Sequence, residues 1–391
     1  MLFLMTTARL PRVRIYHNNL WARYKGAIFS KVYSSSSRSG IATSFVQVAE
    51  TETDRAMLGG ADVSYHQYPY QLLFPGNYDA VPLYRLVTAA TADVFKNPSE
   101  LVVLPGYHRI EYWAMLVACI VLRRKRAVFC DSTANDQKKY YWKEKAKAFF
   151  FRRCDGFFCY GIRSKEYVES YGVNGEKTYY GCQAAALPHG YDASAILRFY
   201  EQNGADAATQ SRFLYFGRLS MEKGLFDLLD AFRLVHEQMP EARLDIVGSG
   251  TLKGELVERT RELGLESAVA FLGSKSLEDI GQLLVRSAAM ILPSHREPWG
   301  LVVNEALSYG CPVVVSDICG CVPELVVDGV TGYSFPVGDT RALCAAMIAA
   351  ARMSIDRLSA ARRCLGLIAQ YTPERAATEI LRGCVRILET P

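Results

Sequence analysis

Short apolar runs alternate with amphipathic stretches from Arg212 to Ser316, and no other property of the chain constrains its fold as tightly. Arg212 to Phe216 is an apolar run that stops at Gly217, the pattern of a strand entering a loop. From Gly224 to Gln238 the apolar residues Leu225, Leu228, Leu229, Phe232 and Val235 recur with helical spacing, and Pro240 follows the end. Arg243 to Val247 reads as the next strand, closed by Gly248-Ser249-Gly250. The alternation continues with a helix over Leu252 to Leu263, a strand over Ala268 to Leu272 and a helix over Leu277 to Ser287. A strand over Ala288 to Leu292, a helix over Leu301 to Tyr309 and a strand over Pro312 to Ser316 complete it. This rhythm predicts βαβ units and a parallel sheet.

The front half carries the same rhythm more faintly. Val13 to Tyr16, Ala61 to Tyr65, Leu101 to Leu104, Ala127 to Cys130 and Phe157 to Tyr160 are expected as strands. Ile41 to Thr51, Tyr112 to Leu122 and Asp136 to Arg153 are expected as helices. Ser34 to Gly40 is read as a mobile surface loop, and a Gly-, Asn-, Asp- and Ala-rich linker is placed between about Pro188 and Gln210. A chain of 391 residues, at roughly 100–200 residues per domain, then holds two parallel-sheet domains. The carboxyl ends of such strands are where ligands bind.

Charge separates the two halves. Residues 1–200 contain 26 basic and 16 acidic side chains, whereas residues 201–391 contain 19 and 24, which suggests different partners for the two domains. Nothing in the chain approaches the ~18–20 apolar residues of a spanning helix. Tyr112 to Leu122 is followed at once by Arg123-Arg124-Lys125-Arg126 and reads as a buried helix. The apolar start Met1 to Met5 is too short for a signal peptide, so the protein is expected to stay in the cytoplasm. The 11 cysteines lack metal-ligand spacing and are expected as free, buried thiols.

The most specific segment runs from Leu292 to Leu307, between a strand and a helix. It contains Glu297 and, with seven residues between them, Glu305. Gly300 permits close approach of a ligand, and the amides of Gly300, Leu301 and Val302 would form the electropositive start of the helix. Upstream, Gly217 to Gly224 places Arg218 and Lys223 around one turn after a strand, as a diphosphate clamp would require. Gly248 and Gly250 follow the next strand, and Gly320 lies in the turn after Ser316.

Here the back half resembles the donor-binding domain of retaining, metal-independent family 4 glycosyltransferases (glycosyl transferases group 1) of the GT-B fold. The resemblance rests on Gly217-Arg218-Leu219 with Lys223-Gly224, Val247 to Gly250, Glu297 with Glu305, and Pro312 to Val326. Asp328 to Tyr333 and Gly338-Asp339 extend it, and Tyr371 to Arg375 resembles the start of a last helix that crosses back to the front domain. It implies an α/β chain of two Rossmann-like domains facing a central cleft. Residues 1–195 would bind the acceptor, 205–370 a nucleotide-sugar, and 371–391 would be the returning helix.

The resemblance also implies roles. Arg218 and Lys223 would bind the leaving diphosphate, Glu297 the transferred sugar and Glu305 the ribose. The glycines 217, 248, 250, 300 and 320, with Leu301 and Val302, would line the donor site, and Phe271 to Lys275 would flank the base. No cofactor or metal is implied, and no Asp-x-Asp motif is present. The front half departs from the pattern, since no Gly-Gly pair follows Val13 to Tyr16. Lys25-Gly26 and Ser39-Gly40 are its available loops. His108 is the chosen cleft histidine, with Asp131 and Ser132 as rivals.

The expected reaction is transfer of a sugar, with retention, to a saccharide or lipid-linked acceptor in polysaccharide or glycoconjugate synthesis. A nucleotide-sugar epimerase and a non-catalytic sugar-nucleotide-binding module are the alternatives. The cation- and aromatic-rich stretch Lys138 to Arg153 is read as a solvated helix face or a contact with an anionic membrane surface, peripheral to the membrane and with no nucleic acid involved.

Overall fold

A computed structural model describes residues 9–53, 60–135, 140–203 and 211–390. The front sheet is built from β1 (Arg12–Asn19), β2 (Ala42–Ala49), β3 (Tyr70–Leu72), β4 (Leu101–Leu104), β5 (Lys125–Cys130), β6 (Gly156–Cys159) and β7 (Thr178–Tyr179). Its strand order is β3-β2-β1-β4-β5-β6-β7, with every pairing parallel. Strands such as Leu101–Leu104 are buried at every position, because helices cover both faces of a parallel sheet. Those helices are α1 (Arg23–Ser36), α2 (Leu83–Lys96), α3 (Ile110–Val121), α4 (Tyr141–Arg152) and α5 (Ile162–Glu169).

Helix α6 (Ala193–Asn203) occupies the middle of the expected linker, whose residues 204–210 lie outside the described residues. The back sheet consists of β8 (Arg212–Phe216), β9 (Arg243–Val247), β10 (Val269–Gly273), β11 (Ala289–Leu292), β12 (Val313–Ser316) and β13 (Gly332–Phe335). Its order is β10-β9-β8-β11-β12-β13, again parallel throughout. Between these strands run α7 (Leu225–Gln238), α8 (Lys253–Glu262), α9 (Leu277–Leu284), α10 (Leu301–Ser308) and the short α11 (Val322–Leu325). In each sheet the strand order reverses once, between β1 and β4 in front and between β8 and β11 behind. Such a switch point opens a crevice at the carboxyl edge.

The final helices are α12 (Thr340–Met353), α13 (Arg357–Ile368) and α14 (Pro373–Glu389). Helix α14 starts at Thr372, whose hydroxyl accepts the Arg375 amide at 3.3 Å. It buries Ala376, Ile380, Leu381, Cys384 and Ile387 in the front-domain core with Ile28, Phe29 and Val32 of α1. The Lys125 ammonium donates to its Ile387 carbonyl at 2.8 Å. The expected return of the chain to the front domain is therefore present.

Three local expectations fail. Ile41 to Thr51 forms strand β2, not a helix, because Thr43, Val46 and Val48 are β-branched and the segment pairs along the length of β1. Ala61 to Tyr65 is not a strand: the Asp62 carboxylate accepts from the Ser64 amide at 3.1 Å and hydroxyl at 2.6 Å, capping a single tight turn over Val63–Tyr65. Ser34 to Gly40 is the end of α1 and a following turn over Ser37–Ser39. The hydroxyls of Ser34 and Ser36 bond to carbonyls three residues back, and Val32 and Ser36 are buried, so packing outweighs the weak helix propensity of serine. In the basic stretch, Asp136 to Lys139 lie outside the described residues and the rest is α4.

The 11 cysteines are all buried and none is joined in a disulfide. Among the described residues no helix is long and apolar enough to cross a membrane. Nor does any group of three or more His, Cys, Asp or Glu side chains among them form a metal-holding cluster.

Candidate active site

The back-sheet switch point brings the turn after β8 against the turn after β11. Gly217 extends the ladder, its amide bonding to the Val247 carbonyl at 3.0 Å. The chain then makes a single turn over Met221–Lys223 before α7. The carbonyl of Glu222 in that turn accepts the His295 amide at 2.8 Å, which ties the two loops together.

Two ion pairs occupy this corner. The Lys223 ammonium pairs with Glu297 across the loops, and both side chains are only 14% exposed. Arg218 pairs with Glu222 at 3.0 Å within its own loop and is more open, at 39% and 34% exposure. The two cations predicted as a clamp therefore share one corner, each with a carboxylate beside it. The Glu297 carbonyl accepts the Gly320 amide at 2.9 Å, and the Trp299 carbonyl accepts the Cys321 amide at 3.0 Å. These bonds join the turn after β12 to the same corner, with the Gly320 Cα position packed against the Pro298 carbonyl.

Gly300 starts α10 at φ 101°, a conformation that side-chain-bearing residues rarely adopt. The Trp299 indole donates to Asn304 at 2.8 Å and fixes the loop on the helix. The amides of Leu301 and Val302 consequently open the helix beside Glu297, as an anion site requires. Gly248 shows a different need: a Cβ there would lie 1.9 Å from the Gly217 carbonyl oxygen. The turns after β8 and β9 pack backbone on backbone, and Gly250 meets Leu219 in the same manner.

Glu305 lies one helix face further in. Burial pushes its carboxyl up to about 7, partly opposed by Arg23 from the front domain. Arg23 opens α1, which follows the carboxyl end of β1. Further along the junction, the Ile162 amide donates to Glu324 at 2.8 Å and Arg163 donates to the carbonyls of Asp317 at 2.6 Å and Cys319 at 2.9 Å. Residues Phe271 to Lys275 lie at the end of β10, beyond β9 from the ion pairs.

On the front side, a cavity of about 210 Å3 sits at the carboxyl ends of β1, β4, β5 and β6. His108 and Asp131 both line it. Burial lowers the His108 pKa, with the nearby Asp131 charge acting in the opposite direction. The structure thus brings His108 and Asp131 to one cavity, whose lining does not include Arg218, Lys223 or Glu297. Sequence reasoning noticed Lys25 only as part of a loop, yet its side chain is fully buried at this cavity. The signal was available, since Lys25 shares the helical spacing of the apolar Ile28, Phe29 and Val32.

Residues 199–363 match the family described as glycosyl transferases group 1. Over 173 residues the chain is 36% identical to glycogen synthase of Mycobacterium tuberculosis (strain CDC 1551 / Oshkosh), covering 41% of each chain. The chain thus matches about two fifths of that relative's length. In structure, Anabaena Alr3699/HepE in complex with UDP and glucose matches with a TM-score of 0.69 at 18% identity, covering 96% of this chain and 100% of that one. The apo form of the lipopolysaccharide outer core galactosyltransferase WaaB matches with a TM-score of 0.71 at 16% identity, covering 96% and 99%.

The fold is GT-B. In this GT-B chain the matched family segment contains the Arg218, Lys223, Glu297 and Glu305 corner. The cavity with His108 lies outside that segment.

Proposed function

We propose that the protein transfers a sugar from a nucleoside-diphosphate sugar to a saccharide or lipid-linked acceptor, with retention of anomeric configuration and without a metal ion. The observation that carries this reading is the meeting of Arg218, Lys223, Glu297 and the Gly300 helix start at one switch point of a GT-B fold. Breaking a sugar–diphosphate bond leaves charge on the diphosphate, and two cations with a helix N-terminus stabilise it where it develops. An entering diphosphate draws Lys223 and Arg218 from their carboxylates. Glu297 is then free to hold sugar hydroxyls, and Glu305 to hold the ribose. Relatives and neighbours named for glycogen synthesis and for complexes with UDP and glucose support the donor class.

The reading is tested by following donor consumption with and without acceptor. Turnover that requires acceptor, resists chelators and gives product of unchanged anomeric configuration by NMR supports it. Conversion of donor alone into another sugar nucleotide supports the epimerase instead. UDP binding with no turnover under any condition supports a binding module.

The reading includes a peripheral contact with an anionic membrane surface. Helix α4 leaves Tyr141 77%, Trp142 67% and Phe149 51% exposed, and α3 leaves Ile110 60%, Val117 56% and Val121 66% exposed. Trp113 stacks on Phe149 and joins the two helices into one face. Lys143, Lys145 and Arg153 lie over rings of that face. Apolar side chains interleaved with cations suit an anionic leaflet. Co-sedimentation with phosphatidylserine vesicles at low salt, lost at high salt, is the expected result. No sedimentation at low salt removes the membrane from the proposal.

A further inference from the structure

Lys25 is a buried ammonium with no counter-charge hydrogen-bonded to it among the described residues. Its side chain is 0% exposed, and Nζ has no hydrogen-bond partner among the described residues. The ring centroids of Phe129 and Tyr160 each lie 4.4 Å from Nζ. Two ring faces offset part of the cost of removing a cation from water, but they leave its three donors unused.

The cavity beside it, about 210 Å3, holds far more than one water, whose share of liquid volume is about 30 Å3. Asn18, Gly106, His108 and Asp131 contribute to its lining from the ends of three strands. Tyr160, on the wall of the cavity, also packs with Trp299 of the back domain. The cavity therefore lies on the side of the front domain that faces the donor corner. Burial holds His17 of the lining down to about 3 and lowers His108 as well. An anionic oxygen offers this ammonium both a charge and lone pairs, which a hydroxyl does not.

We propose that Lys25 receives an anionic group, a carboxylate or a phosphate, carried by the acceptor, while Asp131 accepts from hydroxyls of the same molecule. The assignment rests on the front domain being the acceptor side of the transfer reaction. It narrows the acceptor class from any saccharide to one that bears a negative charge.

The test titrates the full chain, saturated with UDP and at fixed ionic strength, with methyl phosphate in one arm and acetate in another, read by calorimetry. Saturable binding in at least one arm is expected, and the arm that binds identifies the source of the charge. Lys25→Met should weaken that binding at least ten-fold and leave UDP affinity unchanged. Asp131→Asn should tighten it several-fold by removing a repelling charge, which keeps the proposal testable if Lys25→Met does not fold. No binding in either arm, or equal binding by wild type and Lys25→Met, overturns it. If UDP itself does not bind, the donor reading fails separately. The titrations without UDP, compared between wild type and Lys25→Met, still decide the role of Lys25.

Discussion

The Lys223 ammonium donates to the Glu297 carboxylate, a residue 74 positions further along the chain, and so closes the corner where the turns after β8 and β11 meet. Each side chain is largely shielded from water, so each depends on the other for its charge to be tolerated. Removing one partner leaves the other exposed to a desolvation cost, whereas removing both does not.

The costs of the two single substitutions should therefore add up to more than the cost of the double substitution. Lys223→Ala or Glu297→Ala alone is expected to lower stability by about 1–3 kcal/mol, and the double variant by less than the two added together. Each single variant should also lower kcat by about 100–1,000-fold if the pair acts on the donor as proposed. Urea denaturation of the three variants measures the first effect, and turnover of donor with acceptor measures the second. Additive stability losses would mean that the two side chains do not act as a unit.

Backbone contact makes Gly248 the most sensitive glycine of the β8–β9 turns. An added methyl group would meet the Gly217 carbonyl oxygen at 1.9 Å, and φ there is 137°. Gly248→Ala should destabilise by more than about 2 kcal/mol. Gly254, inside α8, has open space around its Cβ position. Gly254→Ala should stabilise by up to about 1 kcal/mol, because alanine restricts the unfolded chain and favours the helix. Thermal unfolding of both variants checks the contrast.

Two glutamates at the domain junction should shape stability against pH. Burial raises Glu305 to about 7, with Arg23 opposing the shift, and burial raises Glu324 to about 7, with the Ile162 amide opposing it. Their ordinary value is 4.5. A carboxyl whose folded pKa is raised favours the folded state fully below its unfolded value, and that contribution is lost as pH rises through the folded value. Stability should thus decline between pH 4.5 and 7, by at most about 3 kcal/mol for each residue. Glu305→Gln and Glu324→Gln should each flatten that decline in urea titrations across this window. An unchanged slope in both variants would place the pH dependence elsewhere.

The corner of Arg218, Lys223 and Glu297 was legible because its side chains lie in contiguous segments that follow strands. Arg218 with Lys223, and Glu297 with Gly300, needed only the strand order to be brought together. The front half was less legible for reasons that differ by residue. The period of Ile41 to Thr51 is ambiguous over so short a run, and only its pairing with β1 decides for a strand. The serines from Ser34 to Ser39 favour a loop by propensity, and only packing of α1 against α14 keeps them ordered. His108 and Asp131 were found by their position after strands. Lys25 was overlooked because a lysine on an apolar helix face reads as an interruption until its burial is known.

That burial makes its own prediction. Lys25 is lowered from 10.5 to about 8, first by burial, with only Cys182 and Asp131 acting to raise it. A depressed lysine works against the folded state below its folded pKa, and the penalty fades as pH rises towards 10.5. Exchanging the ammonium for a thioether of similar length removes a buried charge that has no hydrogen-bond partner among the described residues. Lys25→Met should therefore be more stable than wild type at pH 7, by roughly 1–3 kcal/mol, and the two should converge near pH 10.5. Such a gain at a position proposed to bind a ligand is the usual trade between stability and function. Denaturant titration at pH 7 and pH 10.5 distinguishes this outcome. A variant less stable than wild type at pH 7 would show that the ammonium is paired in the free protein and not held ready for an anion.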